Sequence, residues 1–144
     1  MAKLSLSKAN KIIREALKKG QEQSMKPLTV VVLDAGGHMV AMQREDNSSV
    51  LRPQVAQGKA FGCIAVGMGS RWLNAQAETR PHFLEGLSNV SGGKIVAVPG
   101  GVLIKTKSGE IIGAVGITGD SSDNDEIAAI AGVEAAQYIA DTGA

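Results

Sequence analysis

Residues 92–126 read GGKIVAVPGGVLIKTKSGEIIGAVGITGDSSDNDE and decide the fold of the chain. The stretch contains three apolar, β-branched runs: KIVAVPGG, VLIKTK and EIIGAVGIT. Glycine-containing turns separate these runs, so they predict three consecutive strands. Ser108 and Gly109 are typical turn residues between the second and third strands, which we expect to pair antiparallel.

The same stretch ends on an acidic helix start. Residues 124–140 predict a helix of small residues, with Asp123 as its N-cap and Glu126 in a capping-box position. A calcium loop starting at Asp120 is excluded, because its sixth position is not glycine and its twelfth is not glutamate. Capping accounts for two of the carboxylates and leaves Asp125 available for another role.

The chain before this stretch carries a helix, a hairpin and further helices. Apolar residues at helical spacing predict a helix over residues 7–24. Two apolar runs around DAGG predict a hairpin over 28–44. Residues 51–69 predict a glycine-rich helix, and 71–79 a short one, followed by an irregular piece around Pro81.

The predicted element order is therefore α-β-β-α-(α)-β-β-β-α. Hairpins without regular βαβ alternation favour an α+β fold, an antiparallel sheet with helices packed on it. A length of 144 residues fits one domain over 1–144. Only four residues are aromatic and 18 are glycine, which predicts an aliphatic core with closely packed backbones.

Charge divides the chain into two halves. Residues 1–72 carry 11 Lys/Arg against 5 Asp/Glu, and residues 73–144 carry 4 against 9. This asymmetry is compatible with a homo-oligomer, and equally with opposite charges spread over one surface. The chain has no Lys/Arg run and few aromatic residues, so we expect no nucleic-acid partner.

Three sequence features indicate the compartment. The N-terminus has no signal-peptide pattern, and no apolar run approaches transmembrane length. A lone Cys63 excludes an internal disulfide framework and a cysteine-based zinc site. We expect a cytoplasmic protein without a membrane partner.

Few side chains suggest chemistry. Lys59 lies among small residues of a predicted helix, so its ammonium is expected either to reach solvent or to meet an anion. His38 follows the first hairpin turn, and His82 lies beside Arg80 and Phe83. Each histidine is a candidate metal or haem ligand, or else an exposed loop residue.

Several segments together resemble a known family. DAGGHMVAMQR, the small-residue helix around Lys59, VPGGVLIK and SGEIIGAVGITG occur in this order, followed by a helix that starts with Asp and Glu. In these features the chain resembles the haem-degrading, GlcG/HbpS-like family, and it is similar to the C-terminal domain of PduO-type proteins. The resemblance extends over nearly the whole chain.

The resemblance implies a five-stranded antiparallel sheet of profilin/PAS-like architecture, homo-oligomers and, in some members, haem binding. Its implied ligand-binding residues are Arg44, Lys59, Gly100, Gly101, Asp125 and Glu126. The two cations would pair with carboxylates such as haem propionates, and the glycines would let a ligand approach the backbone. Asp125 would orient one of the cations.

Three functional hypotheses follow. The first is a protein that binds a small ligand, haem or a related tetrapyrrole or anionic molecule, with a haem- or iron-handling or redox-linked role. The second is a lyase, isomerase or hydrolase of glycolate- or diol-type metabolism that uses Lys59 and Asp125 as acid/base partners. The third is a non-catalytic assembly or sensory module. The sequence does not decide whether the protein is an enzyme.

Overall fold

The structure, a computed structural model, describes residues 2–144. Five helices and five strands follow one another in the order α1 (Leu6–Glu22), β1 (Thr29–Asp34), β2 (Met39–Arg44), α2 (Arg52–Val66), α3 (Ser70–Thr79), α4 (Pro81–Val90), β3 (Gly101–Lys105), β4 (Ile111–Thr118), α5 (Ser122–Ala135) and β5 (Ile139–Asp141).

The five strands form one antiparallel sheet in the order β2-β1-β4-β3-β5, which confirms the predicted α+β class. Helices cover both faces of the sheet. Val30 and Val32 of β1 pack into the core beneath α1 and α5, whereas Val31 and Leu33 pack against α2. Because both faces of β1 are buried, its residues 30–33 are continuously apolar instead of alternating.

The fifth strand is not where the sequence predicted it. Residues 94–100, predicted as a strand, are irregular, and the helix predicted over 124–140 ends at Ala135 so that β5 can follow it. The backbone N–H of Val96 donates to the carbonyl of Gly58 in α2 (3.2 Å). This segment therefore crosses a helix, and β5 takes the free edge of β3 in its place.

Two local predictions also needed correction. The piece around Pro81 forms the helix α4, in whose first turn a proline is tolerated. The N-cap of α5 is Ser121, not Asp123: its hydroxyl accepts from the backbone N–H of Asn124 (3.1 Å). In α1 the N-cap is Ser5, whose hydroxyl accepts from the backbone N–H of Lys8 (3.1 Å).

Glycines allow α2 to lie very close to the sheet. A Cβ at Gly116 of β4 would overlap the carbonyl oxygen of Ala56, and one at Gly101 of β3 would overlap that of Lys59. Within residues 2–144, no helix combines the length and apolarity needed to cross a membrane.

We expect Gly116→Ala to lower the free energy of unfolding by about 3 kcal/mol, because the new methyl group meets backbone that cannot move aside. The matched control is Gly86→Ala in α4, where a Cβ has no neighbour within 4 Å. Removing that glycine is expected to add about 0.5–1 kcal/mol. Urea unfolding measures both changes, and similar values for the two variants would contradict the close contact.

Candidate functional site

A buried ion pair joins the two faces of the sheet. Lys59 projects from α2, and its ammonium donates to Asp125 of α5 (3.0 Å) and to the carbonyl oxygen of Ile117 in β4 (2.8 Å). The other carboxylate oxygen of Asp125 accepts from the backbone N–H of Asp120 (2.9 Å). Only 2% of either charged side chain is exposed. The pair therefore ties α2, β4 and α5 together.

Burial is the largest cause of the pKa shifts of both members of this pair. It lowers the pKa of Lys59 and raises the pKa of Asp125, because a charged form loses solvation inside the protein. Each partner opposes the shift of the other through the attraction of opposite charges and their hydrogen bond. An ammonium that is enclosed and paired in this way has first of all a structural role, and not a chemical one.

The predicted glycines belong to the same cluster. Gly100 has φ +118°, and a Cβ there would lie 2.8 Å from the Lys59 ammonium nitrogen and 3.1 Å from the Asp125 Cβ. A Cβ at Gly101 would lie 2.9 Å from the sulfur of Cys63, a thiol whose pKa burial raises to about 12. The absence of a side chain at Gly100 therefore leaves room for the ion pair, and its absence at Gly101 leaves room for α2. Both glycines are buried.

Glu126 is engaged by a residue that the sequence did not single out. Arg71 of α3 donates from Nε to Glu126 (3.0 Å) and from Nη2 to Asp123 (2.6 Å). The hydrogen bonds that Arg71 donates to these two carboxylates raise its pKa. No local sequence signal marks Arg71 as their partner, because α3 and α5 meet only in the tertiary structure.

The remaining candidates lie apart from the buried pair. Arg44 is exposed at the end of β2 and lines a polar hollow with Glu45 and Asp46. His38 has 82% of its side chain exposed, with its Nδ1 atom 3.3 Å from the Asp34 carboxylate. His82 lies exposed in the first turn of α4. In residues 2–144, no three His, Cys, Asp or Glu side chains converge as a metal site.

A groove on the outer side of α2 is more accessible than the buried ion pair. It has a volume of about 470 Å³, and its walls include Leu51, Val55, Gly58, Phe61, Lys94 and Val96.

Two contacts shape the groove. The Lys94 ammonium stands 5.6 Å from the centre of the Phe61 ring, a cation–π distance. A Cβ at Gly58 would lie 2.5 Å from the Val96 side chain, so this glycine lets the irregular segment cross α2. Sequence reasoning missed the groove because it assigned that segment to the sheet.

The structure is thus a small α+β domain with an accessible groove beside α2. The family model for the Haem degrading protein HbpS-like family matches residues 4–134. The chain belongs to this family, as its sequence motifs indicated.

Individual relatives agree with this assignment. The solved complex of PduOC with heme is 25% identical, covers 95% of this chain and 97% of its own, and superposes with a TM-score of 0.85. Protein ORFY of Klebsiella pneumoniae shares the fold at 22% identity and the same TM-score, covering 95% of this chain and 93% of its own.

A third relative is similar by sequence. It is an uncharacterized 15.0 kDa protein in the dhaT-dhaS intergenic region of Citrobacter freundii, 27% identical over 129 residues, which are 90% of this chain and 89% of that protein.

We expect Lys59→Met to lower the free energy of unfolding by about 3–5 kcal/mol, because it leaves the Asp125 carboxylate buried without its cation. Adding Asp125→Asn should recover most of this loss, since the amide oxygen still accepts from Asp120. A double-mutant cycle by urea unfolding measures the coupling. Simple addition of the two single losses would show that the ion pair is not the linking element.

Proposed function

We propose that this protein binds an anionic tetrapyrrole, with haem the leading candidate, in the groove between α2 and the 93–96 segment. The observation that carries the proposal is the groove itself, an accessible apolar cleft with a cation at its rim. Membership of a haem-degrading family and similarity to a protein solved with heme support this choice of ligand.

The groove fits the chemistry of such a ligand. Leu51, Val55, Phe61 and Val96 offer an apolar wall to a flat macrocycle, while Lys94 can pair with a propionate carboxylate. Lys94 makes no ion pair with a carboxylate within residues 2–144, so its charge is available to a ligand. Arg44 lines the separate hollow beside Glu45 and Asp46, so its part in carboxylate recognition stays a prediction.

His38 is the better placed of the two histidines to hold an iron. Its neighbour Gly37 lies against the Phe61 ring, where a Cβ would be 3.5 Å away, so the hairpin turn approaches the groove. The Asp34 carboxylate near Nδ1 would orient the ring and leave Nε2 for a metal. Haem, when bound, supplies redox-active iron; the protein residues supply orientation and charge.

Acid/base chemistry by Lys59 and Asp125 is the weaker alternative. The two groups are within hydrogen-bonding distance, as that hypothesis requires, but a substrate cannot contact side chains that are 98% covered unless α2 or α5 moves. The groove residues, by contrast, need no such movement.

We also propose that the protein self-associates. Val50 and Leu51 are adjacent in the chain and 84% and 63% exposed, and Val90 is 86% exposed, so these apolar side chains are available for contacts between copies. The opposite charges of the two halves of the chain would favour contacts between copies.

Light scattering is expected to give a mass of at least two chains of 14.8 kDa each. The mass of a single chain would contradict this proposal.

Titration with hemin should produce a saturable shift of the Soret band at stoichiometric protein. Lys94→Ala is expected to weaken this binding about fivefold, as the loss of one partly exposed charge pair. Lys107→Ala, a similar change in the exposed β3–β4 turn, is the control and should leave the affinity unchanged. His38→Ala should change the spectrum of the complex more than its affinity.

A wild-type spectrum indistinguishable from free hemin would overturn the proposed ligand. Binding that is equally insensitive to Lys94→Ala and Lys107→Ala would instead move the site away from the groove. Urea unfolding of each variant distinguishes a loss of binding from a loss of folding.

A further inference from the structure

The side chains that line the groove include no usual ligand of haem iron. In proteins, haem iron is held by histidine, cysteine, methionine or tyrosine. Within residues 2–144, the walls of the groove contain none of these four residue types. They consist of three aliphatic side chains, two glycines, Phe61, Lys94 and the amides of Gln54 and Gln57. The groove therefore matches a tetrapyrrole through the organic part of the ligand.

The candidate iron ligands lie outside these walls. His38 is on the turn between β1 and β2, with 82% of its side chain exposed, and this turn approaches the groove through Gly37, which lies against Phe61. His82 is exposed in the first turn of α4, and Cys63 is buried. His38 can contact the iron of a haem that is already seated, but it does not form the cleft that seats it.

The groove itself offers apolar contact and one positive charge. Phe61 presents a flat ring for stacking on a macrocycle, and Lys94 is the one charged side chain among the wall residues. The free energy gained by apolar contact depends on the area removed from water. A metal-free porphyrin has the same flat outline and the same propionates as haem. Both kinds of contact are therefore equally available to it.

We infer that the groove recognises the porphyrin macrocycle and one of its carboxylates, so that metal-free porphyrins bind it about as tightly as haem does. This inference rests on the function proposed above and narrows it, because the iron is then not needed for binding. The macrocycle would stay in the groove when its iron is removed or exchanged. Such a protein can hold a porphyrin both before iron is inserted and after iron is lost.

Two titrations of the wild-type protein test the inference. Protoporphyrin IX, which has no metal, is followed by its fluorescence, and hemin is followed by its Soret band. We expect the two dissociation constants to agree within about threefold. Hemin binding that is tighter by about tenfold or more would overturn the inference, because an iron–protein bond would then contribute to affinity. Loss of that advantage in His38→Ala would identify the iron ligand.

A pair of matched variants tests whether both porphyrins occupy the groove. Val55→Asp places a carboxylate on the apolar wall near the start of α2 and should weaken the binding of both porphyrins about tenfold. Leu6→Asp is the control, since Leu6 is an exposed apolar residue at the start of α1 and does not line the groove. An acidic residue is tolerated near the start of a helix. The control should keep the wild-type affinity for both porphyrins.

Failure of the inference differs from failure of the proposed function. If neither hemin nor protoporphyrin IX binds, the proposed function fails and the inference fails with it. If hemin binds and protoporphyrin IX does not, the inference alone is wrong. Binding of both that is equal in Val55→Asp and Leu6→Asp would show adsorption outside the groove and would also overturn the inference. Urea unfolding of both variants shows whether each one is folded.

Discussion

The fold depends on a charged pair enclosed in the protein interior. The Lys59 ammonium, held by Asp125 and by a β4 carbonyl, links the helix on one face of the sheet to a helix on the other. Such a pair is weak evidence for stability in general, but once it is buried, neither partner can be removed alone without leaving a bare charge. The close approach of α2, the glycines of β3 and β4 and the position of α5 all serve this arrangement.

This constraint separates the structural centre from the surface that can meet ligands. Because the glycines press α2 onto the sheet, the interior around Lys59 has no room for a macrocycle. The opposite side of α2 stays accessible, since the irregular segment that crosses it leaves a groove beside Phe61 and Lys94. Membership of the HbpS-like family links the chain to haem at the level of the family.

Four of the residues predicted for the ligand site are neighbours in the structure, and their role in binding stays a prediction. Lys59, Gly100, Gly101 and Asp125 do lie together, and the structure surrounds them with packed backbone. Glu126 faces Arg71 instead, and Arg44 lies apart at the end of β2. Motif order could group these positions, but it carries no information on which side chains reach solvent.

Local patterns by themselves determined the α+β class, the first hairpin and the approximate extent of α1, α2 and α3, because spacing and turn residues act over a few positions. Tertiary structure alone decided that residues 94–100 cross α2 and that β5 completes the sheet. A short apolar run can form either a strand of the sheet or a segment that crosses a helix. Which of the two forms here depends on whether residues 94–100 or β5 pairs with the edge of β3. The groove follows from that same choice, because the crossing segment forms one of its walls.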